Sequence, residues 1–471
     1  MKKKILISVA CTLLLTMCLA VFAACKKSGD KVVITVGMWP EASQKADIEV
    51  FNKWKASFEA DYPEYEIKPA AYTYSPDTVT AKAESGQLPT VFQTYFTEPQ
   101  KLITSKYIAD ITDLLHEFGW YDKMDTTMRE AVTSDGRVYG IPRDGYGLGL
   151  FLNLEMFYEL GEIDKGADGK YILYDNDGAP LYPTTFADVK RVSELVVAEY
   201  ENTYGMVILS ANKNGGWQFS NMAWNFGASA LQVNDGGKWK SALNSKGAVD
   251  ALNWILDMRQ NDLISSASSN SYMDWYRNIG SKTVAMAIAG SDALSLPVTN
   301  YNFNKDDIAF VPMPTGDGVS QNALYGGTPY VFSSKASKEQ IKGAMLFLKY
   351  MGRSPEVDEV STRAMEDGNR LAQSKGMPIL PTIKPWVNEE YLTYANALEA
   401  QFVNVNMDYY KDFFSTIGTI KKAEEPYYCQ EMYGYLDNAI QEVLSHPATA
   451  NPQALLTTAN GQFQTVLDKL K

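Results

Sequence analysis

Few side chains in this 471-residue chain are of the kinds that make and break bonds. The only histidines are His116 and His446, and no Gly-x-Ser-x-Gly turn occurs, so serine-triad hydrolysis lacks its signature. There is no phosphate-cradling loop of the P-loop type, so the chain does not power an ATP-driven step itself. Cys11, Cys18, Cys25 and Cys429 show no zinc-ligand spacing. Carboxylates are plentiful, with 56 Asp and Glu. Glycoside hydrolysis needs two of them across a sugar bond, and Asp144 with Asp292 is a pair that could face each other. The other abundant chemistry is non-covalent. The 29 Tyr and 9 Trp offer flat apolar faces with hydrogen-bonding tips, which suit the C–H faces of sugar rings and also fill cores.

The first twenty-five residues set where such chemistry would take place. Lys2, Lys3 and Lys4 precede an apolar run from Ile5 to Val21, closed by Ala23, Ala24 and Cys25. This is the plan of a secretory signal peptide, 1–24. The small-small-Cys ending resembles a bacterial lipobox, with Phe22 where an aliphatic residue is usual. It implies lipidation of Cys25 and a polar tether over 25–31. A membrane-spanning helix is the other reading, but the run is short and lacks a charged stop. Cleavage would discard Cys11 and Cys18 and leave Cys429 as a buried small hydrophobe.

Some 447 residues would remain, too many for one core, which argues for two domains. Loss of the three lysines takes the net charge from -13 to -16. An acidic chain without a basic cluster is not expected to bind nucleic acid, and a neutral ligand fits better.

The elements follow from hydrophobic period. Val32 to Val36 is a β-branched strand ending at Gly37-Met38-Trp39-Pro40, and strand ends of this kind line ligand clefts in open α/β sheets. Trp39 is therefore placed on a cleft. A helix over Ala46 to Ala60, a strand Tyr65 to Pro69, a helix Thr78 to Glu84 and a strand Thr90 to Gln93 continue the alternation. The next loop carries Tyr95, Phe96 and Glu98. Residues 164–178 bracket Tyr171 to Tyr174 with Asp-Gly turns. They read as a β-hairpin insertion, with an incomplete calcium loop (Asp164, Asp168, Gly169, Asp175) as the alternative.

Several segments together resemble the family 1 extracellular solute-binding proteins of ABC importers, relatives of maltose-binding protein. They are Phe58-Glu59 with Tyr62 to Lys68, Gly86-Gln87-Leu88-Pro89-Thr90-Val91, Tyr107 to Thr112, and Gly136 to Pro142 leading to Asn153. Ser281 to Gly290, Ile308 to Pro314 and Leu324 to Val331 continue the series. Their order covers nearly the whole mature chain. Thr90, Ser281 and Asp292 depart from the family's habit.

The resemblance implies an α/β, two-lobe periplasmic-binding-protein-like fold (type II) with three inter-lobe crossings and a helical C-terminus. One lobe would hold 32–144 plus 327–386, the other 146–326 plus 391–471. The crossings would fall at Gly136 to Asn153, at Leu324 to Val331 and near Trp386 to Tyr394, with Gly326 and Gly327 supplying hinge angles. It also implies a monomeric, lipid-anchored receptor on the extracytoplasmic face of a bacterial membrane. Such a receptor delivers a sugar or oligosaccharide to permease subunits with a separate ATPase, without catalysis, metal or cofactor. A peptide or other small polar solute, or a surface glycoside hydrolase, remains the alternative.

Aromatic stacking would come from Trp39, Tyr95, Tyr146 and Trp217, the last delivered by the loop Asn212 to Gly216. Hydrogen bonds would come from Glu98, Asp144 and Asp292. Tyr409 lies where relatives sometimes place a cleft aromatic. Trp224, within a helix, is read as core.

Overall fold

The computed structural model describes residues 31–316 and 318–470; Cys25 and the leader before it lie outside the described residues. The β-branched run Val32–Val36 is strand β1, with Ile34 and Val36 fully buried. It pairs in parallel with Tyr65–Pro69 (β2) and Val91–Gln93 (β3). Six more strands complete the main sheet: Gly140–Asn153 (β4), Tyr204–Val207 (β5), Val284–Gly290 (β6), Ile308–Val311 (β7), Ala323–Phe332 (β8) and Lys421–Ala423 (β9). The order is β2-β1-β3-β8-β4-β6-β5, with β7 also on β4 and β9 on β8.

Two cores form on this sheet. The first gathers Ile34, Phe58, Trp120, Phe332, Phe347 and Trp386. The second gathers Phe151, Trp224, Ile255, Trp275, Ile288, Phe310 and Leu436. β4 supplies Ile141 to the first and Leu148 to Leu152 to the second, while β8 supplies Phe332 to the first and Leu324 to the second. These two antiparallel strands thus run through both lobes, as expected for the first two crossings.

The helices that matter below are Lys45–Asp61 (α1), Asn214–Asn225 (α2), Tyr272–Gly280 (α3), Lys338–Tyr350 (α4), Glu389–Phe402 (α5) and Cys429–Ser445 (α6). Around the third expected crossing, Trp386 and Tyr391 pack in the first core. Ala395 of α5 joins them there, while Leu398 and Phe402 at its end pack in a small separate cluster with Ile379. Leu380 and Ile383, before α5, and Val405 and Met407, after it, pack against the second core, so the chain touches that core on both sides of α5. Periodicity marks α5 as amphipathic but does not say which lobe its apolar face meets.

Residues 164–172 fold as the hairpin, pairing Asp164 with Ile172 and Lys165 with Tyr171, and Asp168 accepts from the Lys170 amide in its turn. Trp224 and Cys429 are buried as expected. No helix among the described residues is long and apolar enough to cross a membrane.

The first lobe depends on one close approach. A Cβ on Gly343 of α4 would run into the Tyr65 ring and would lie 2.6 Å from Ile34 Cδ1. Gly343→Ala should therefore destabilise the protein by roughly 1–3 kcal/mol, the usual cost of overpacking a core. Urea unfolding measures this, and an unchanged midpoint would show that α4 can shift without loss.

Candidate ligand site

The lobes line a half-open cavity of about 530 Å³ beside the crossing strands. From the first lobe come the loop Tyr74 to Asp77 and Tyr95, which follows β3. Tyr146 on β4 and Gly327 and Thr328 on β8 form the wall at the crossing. The second lobe adds Asn212 to Asn214, Trp217, Tyr272, Asp292, Glu424, Gln430 and Tyr433.

Tyr146 is held by the strand opposite. It pairs with Gly326, and a Cβ there would overlap the Tyr146 ring. Gly327 is equally confined, by Phe96 and the Asp144 carbonyl. Neither glycine has a positive φ, so the pair is needed for space rather than for the hinge angles expected from the sequence.

The loop expected over Asn212 to Gly216 is shorter, because α2 begins at Asn214, and Trp217 sits in its first turn. The buried Asp437 carboxylate, on α6, accepts from the backbone N–H of Lys213 at 2.6 Å and of Gly216 at 2.7 Å. It thereby satisfies donors that a helix start leaves open and places a negative charge at the positive end of α2. Gly215 and Gly216 let α2 lie directly on Asp437 and Tyr433. Trp217 then meets Tyr146 edge to face at 6.0 Å and Tyr272, the first residue of α3, at 6.1 Å.

The carboxylates have distinct roles. Asp292 opens to the cavity but is ringed by protein, and that enclosure pushes its carboxyl up to about 7. The charge of Asp144 adds to the rise and Arg143 opposes it. Burial likewise lifts Glu424 to about 7, although it accepts from the Tyr433 hydroxyl at 2.9 Å. Asp77, on the first lobe, pairs with Lys213 of the second at 2.7 Å, and that bond holds Asp77 below the usual carboxylate range. Gln430 donates to Thr97 at 3.0 Å, a second contact between the lobes.

Of the side chains singled out in sequence, Tyr95, Tyr146, Trp217 and Asp292 are brought together here. Four are not. Trp39 packs edge-on against Phe51 of α1 at 5.2 Å, on the first core. Tyr409 is 4% exposed in the second core, its hydroxyl accepting from the Tyr171 amide at 2.8 Å. Glu98 is buried behind Tyr74, whose hydroxyl donates to it. Asp144 is ion-paired to Arg143 at 2.6 Å, and its Oδ1 is buried without a hydrogen-bond partner. Tyr74, Lys213, Tyr272, Glu424 and Tyr433 were missed. Tyr272 and Tyr433 lie on helices where an aromatic reads as core, and only the packing of α3 and α6 turns them to the cleft.

The raised Asp292 pKa has a testable sign. Between about 3.8 and 7 the folded protein keeps a proton that the unfolded chain has lost. Folding therefore takes up a proton in that window, and this group's contribution to stability declines as pH rises through it. Asp292→Asn removes the penalty. Its melting temperature should exceed the parent's at pH 8 and converge with it towards pH 4. Equal melting temperatures at pH 8 would show that the carboxylate is well hydrated.

Comparison with known proteins agrees with this architecture. The sequence profile of a family described as bacterial extracellular solute-binding protein matches residues 53–384. No curated protein matches the sequence. Among solved structures, the substrate-binding protein Lmo0181 of Listeria monocytogenes, in complex with cycloalternan, aligns with a TM-score of 0.68 at 14% identity, over 93% of this chain and 100% of that one. The GacH receptor of Streptomyces glaucescens, studied with acarbose, gives 0.69 at 17%, over 94% and 100%. Maltose-bound MalE3 of T. maritima gives 0.67 at 17%, over 93% and 99%. At these identities the three show a shared two-lobe fold. The profile match spans well over half of the chain, and the chain belongs to the bacterial extracellular solute-binding protein family, whose members are binding proteins that work outside the cytoplasm.

Proposed function

We propose that this protein captures a sugar or oligosaccharide in the cleft between its lobes and delivers it to the permease of an ABC importer. The observation that carries the reading is the aromatic corner of Tyr146, Trp217 and Tyr272 beside Asp292. The rings offer apolar faces to a sugar's C–H surface, and the carboxyl group can bond its hydroxyls. The sugars bound by the structural neighbours named above support the choice of ligand class.

Tyr95 and the Tyr74 loop would close on the ligand from the first lobe, with the crossing strands and residues 403–407 as the hinge. The lobes would then comprise 32–144 plus 327–402 and 146–326 plus 403–470. Cys25 would carry the lipid that holds a monomeric receptor at the extracytoplasmic membrane face. The reading includes no catalysis. Asp144 is taken up by Arg143, so the carboxylate pair that hydrolysis would have drawn from Asp144 and Asp292 is not free.

Intrinsic tryptophan fluorescence, titrated with a panel of oligosaccharides, tests this. One glycan class should give saturable shifts, with no product by chromatography. Trp217→Ala should weaken that binding by roughly 1–3 kcal/mol while the protein stays folded. Product formation would make the protein a hydrolase instead, and silence across the panel would point to another solute.

A further inference from the structure

We infer that the ligand carries a positive charge, and that it is a sugar bearing a protonated amine. This rests on the sugar-binding reading above and narrows it. Three features of the cavity point the same way.

The first is charge. Lys213 is the only cationic side chain lining the cavity among the described residues, and Asp77 already pairs with it at 2.7 Å. Arg143, just outside, is paired with Asp144 at 2.6 Å. Asp292 and Glu424 therefore face the cavity without an ion-pair partner among the described residues. Glu98, buried behind Tyr74, adds a further negative group close to Glu424.

The second is the arrangement of rings. Tyr146 and Trp217 meet at 76° and Trp217 and Tyr272 at 52°, so their faces form a corner rather than a flat platform. Asp292 lies close enough to act electrostatically on both Tyr146 and Tyr272. A ring corner beside a carboxylate gives a cation both π faces and a counter-charge.

The third is the cost of leaving the site as it is. A neutral sugar can donate hydroxyls to both carboxyl groups, but where it displaces their water it leaves their charge uncompensated. Enclosure already lifts both groups to about 7. An ammonium group supplies the missing charge and up to three donors. The sugar ring that carries it still has Tyr95 and Trp217 to stack on.

Calorimetric titration of the purified protein tests the inference. The probes are glucosamine, galactosamine, mannosamine and short glucosamine oligomers. The controls are their N-acetylated counterparts, in which the charge is gone, and malto-oligosaccharides of equal length. At least one amine-bearing sugar should bind about tenfold or more tightly than every neutral control, and added salt should narrow the gap. Asp292→Asn and, separately, Glu424→Gln should reduce the preference towards unity while leaving the melting temperature equal or higher. Either variant alone suffices if the other fails to fold. Neutral sugars binding as well as, or better than, the amines would overturn the inference and leave the sugar receptor standing. Absence of binding by every sugar would overturn both.

Discussion

The antiparallel pairing of Gly140–Asn153 with Ala323–Phe332 is the constraint on which the rest depends. It joins Tyr325 to Gly147, Gly326 to Tyr146 and Gly327 to Gly145, at the point where the chain passes between lobes. The same ladder therefore connects the lobes and aims Tyr146 into the cleft. Because Gly326 carries no side chain, the Tyr146 ring lies against its backbone in the space a Cβ would fill, and its position is set by the sheet. A ligand that contacts Tyr146 touches the element about which the lobes would move.

A second layer of order comes from charge at a helix end. Asp437 fixes the start of α2, and with it Trp217 on the cavity wall and Lys213 at its edge. Lys213 then reaches across to Asp77 on the other lobe. Exposed pairs of this kind contribute little, roughly 0.2–1 kcal/mol, so the bond would bias closure without locking it. Besides that pair, the cavity is lined by rings, by Asp292 and Glu424, and by the neutral polar side chains Ser75, Asn212, Asn214, Thr328 and Gln430.

Much of this was legible in the sequence. The strand VVITV, the two long crossings and the helix Lys338–Tyr350 announce themselves by composition and period. Tyr146 was legible for the same reason, because a residue on a crossing strand must border the cleft. What local pattern does not encode is which side of an element meets which lobe. Trp39 and Trp217 both follow glycines near the end of an element, yet one packs on Phe51 and the other on the cavity wall. Tyr409 and Tyr433 are both buried tyrosines of the C-terminal part, and only the second borders the ligand space. The sequence of α5 likewise leaves open which lobe covers it, because its apolar face fits either one.

The most direct measurement is a diffraction structure of the protein grown with the tightest-binding sugar of the titrated panel. One sugar ring should lie against Trp217 and Tyr146, within about 4 Å of their faces, with Asp292 bonded to the ligand. A sugar bound elsewhere, with Trp217 and Tyr146 left untouched, would contradict it.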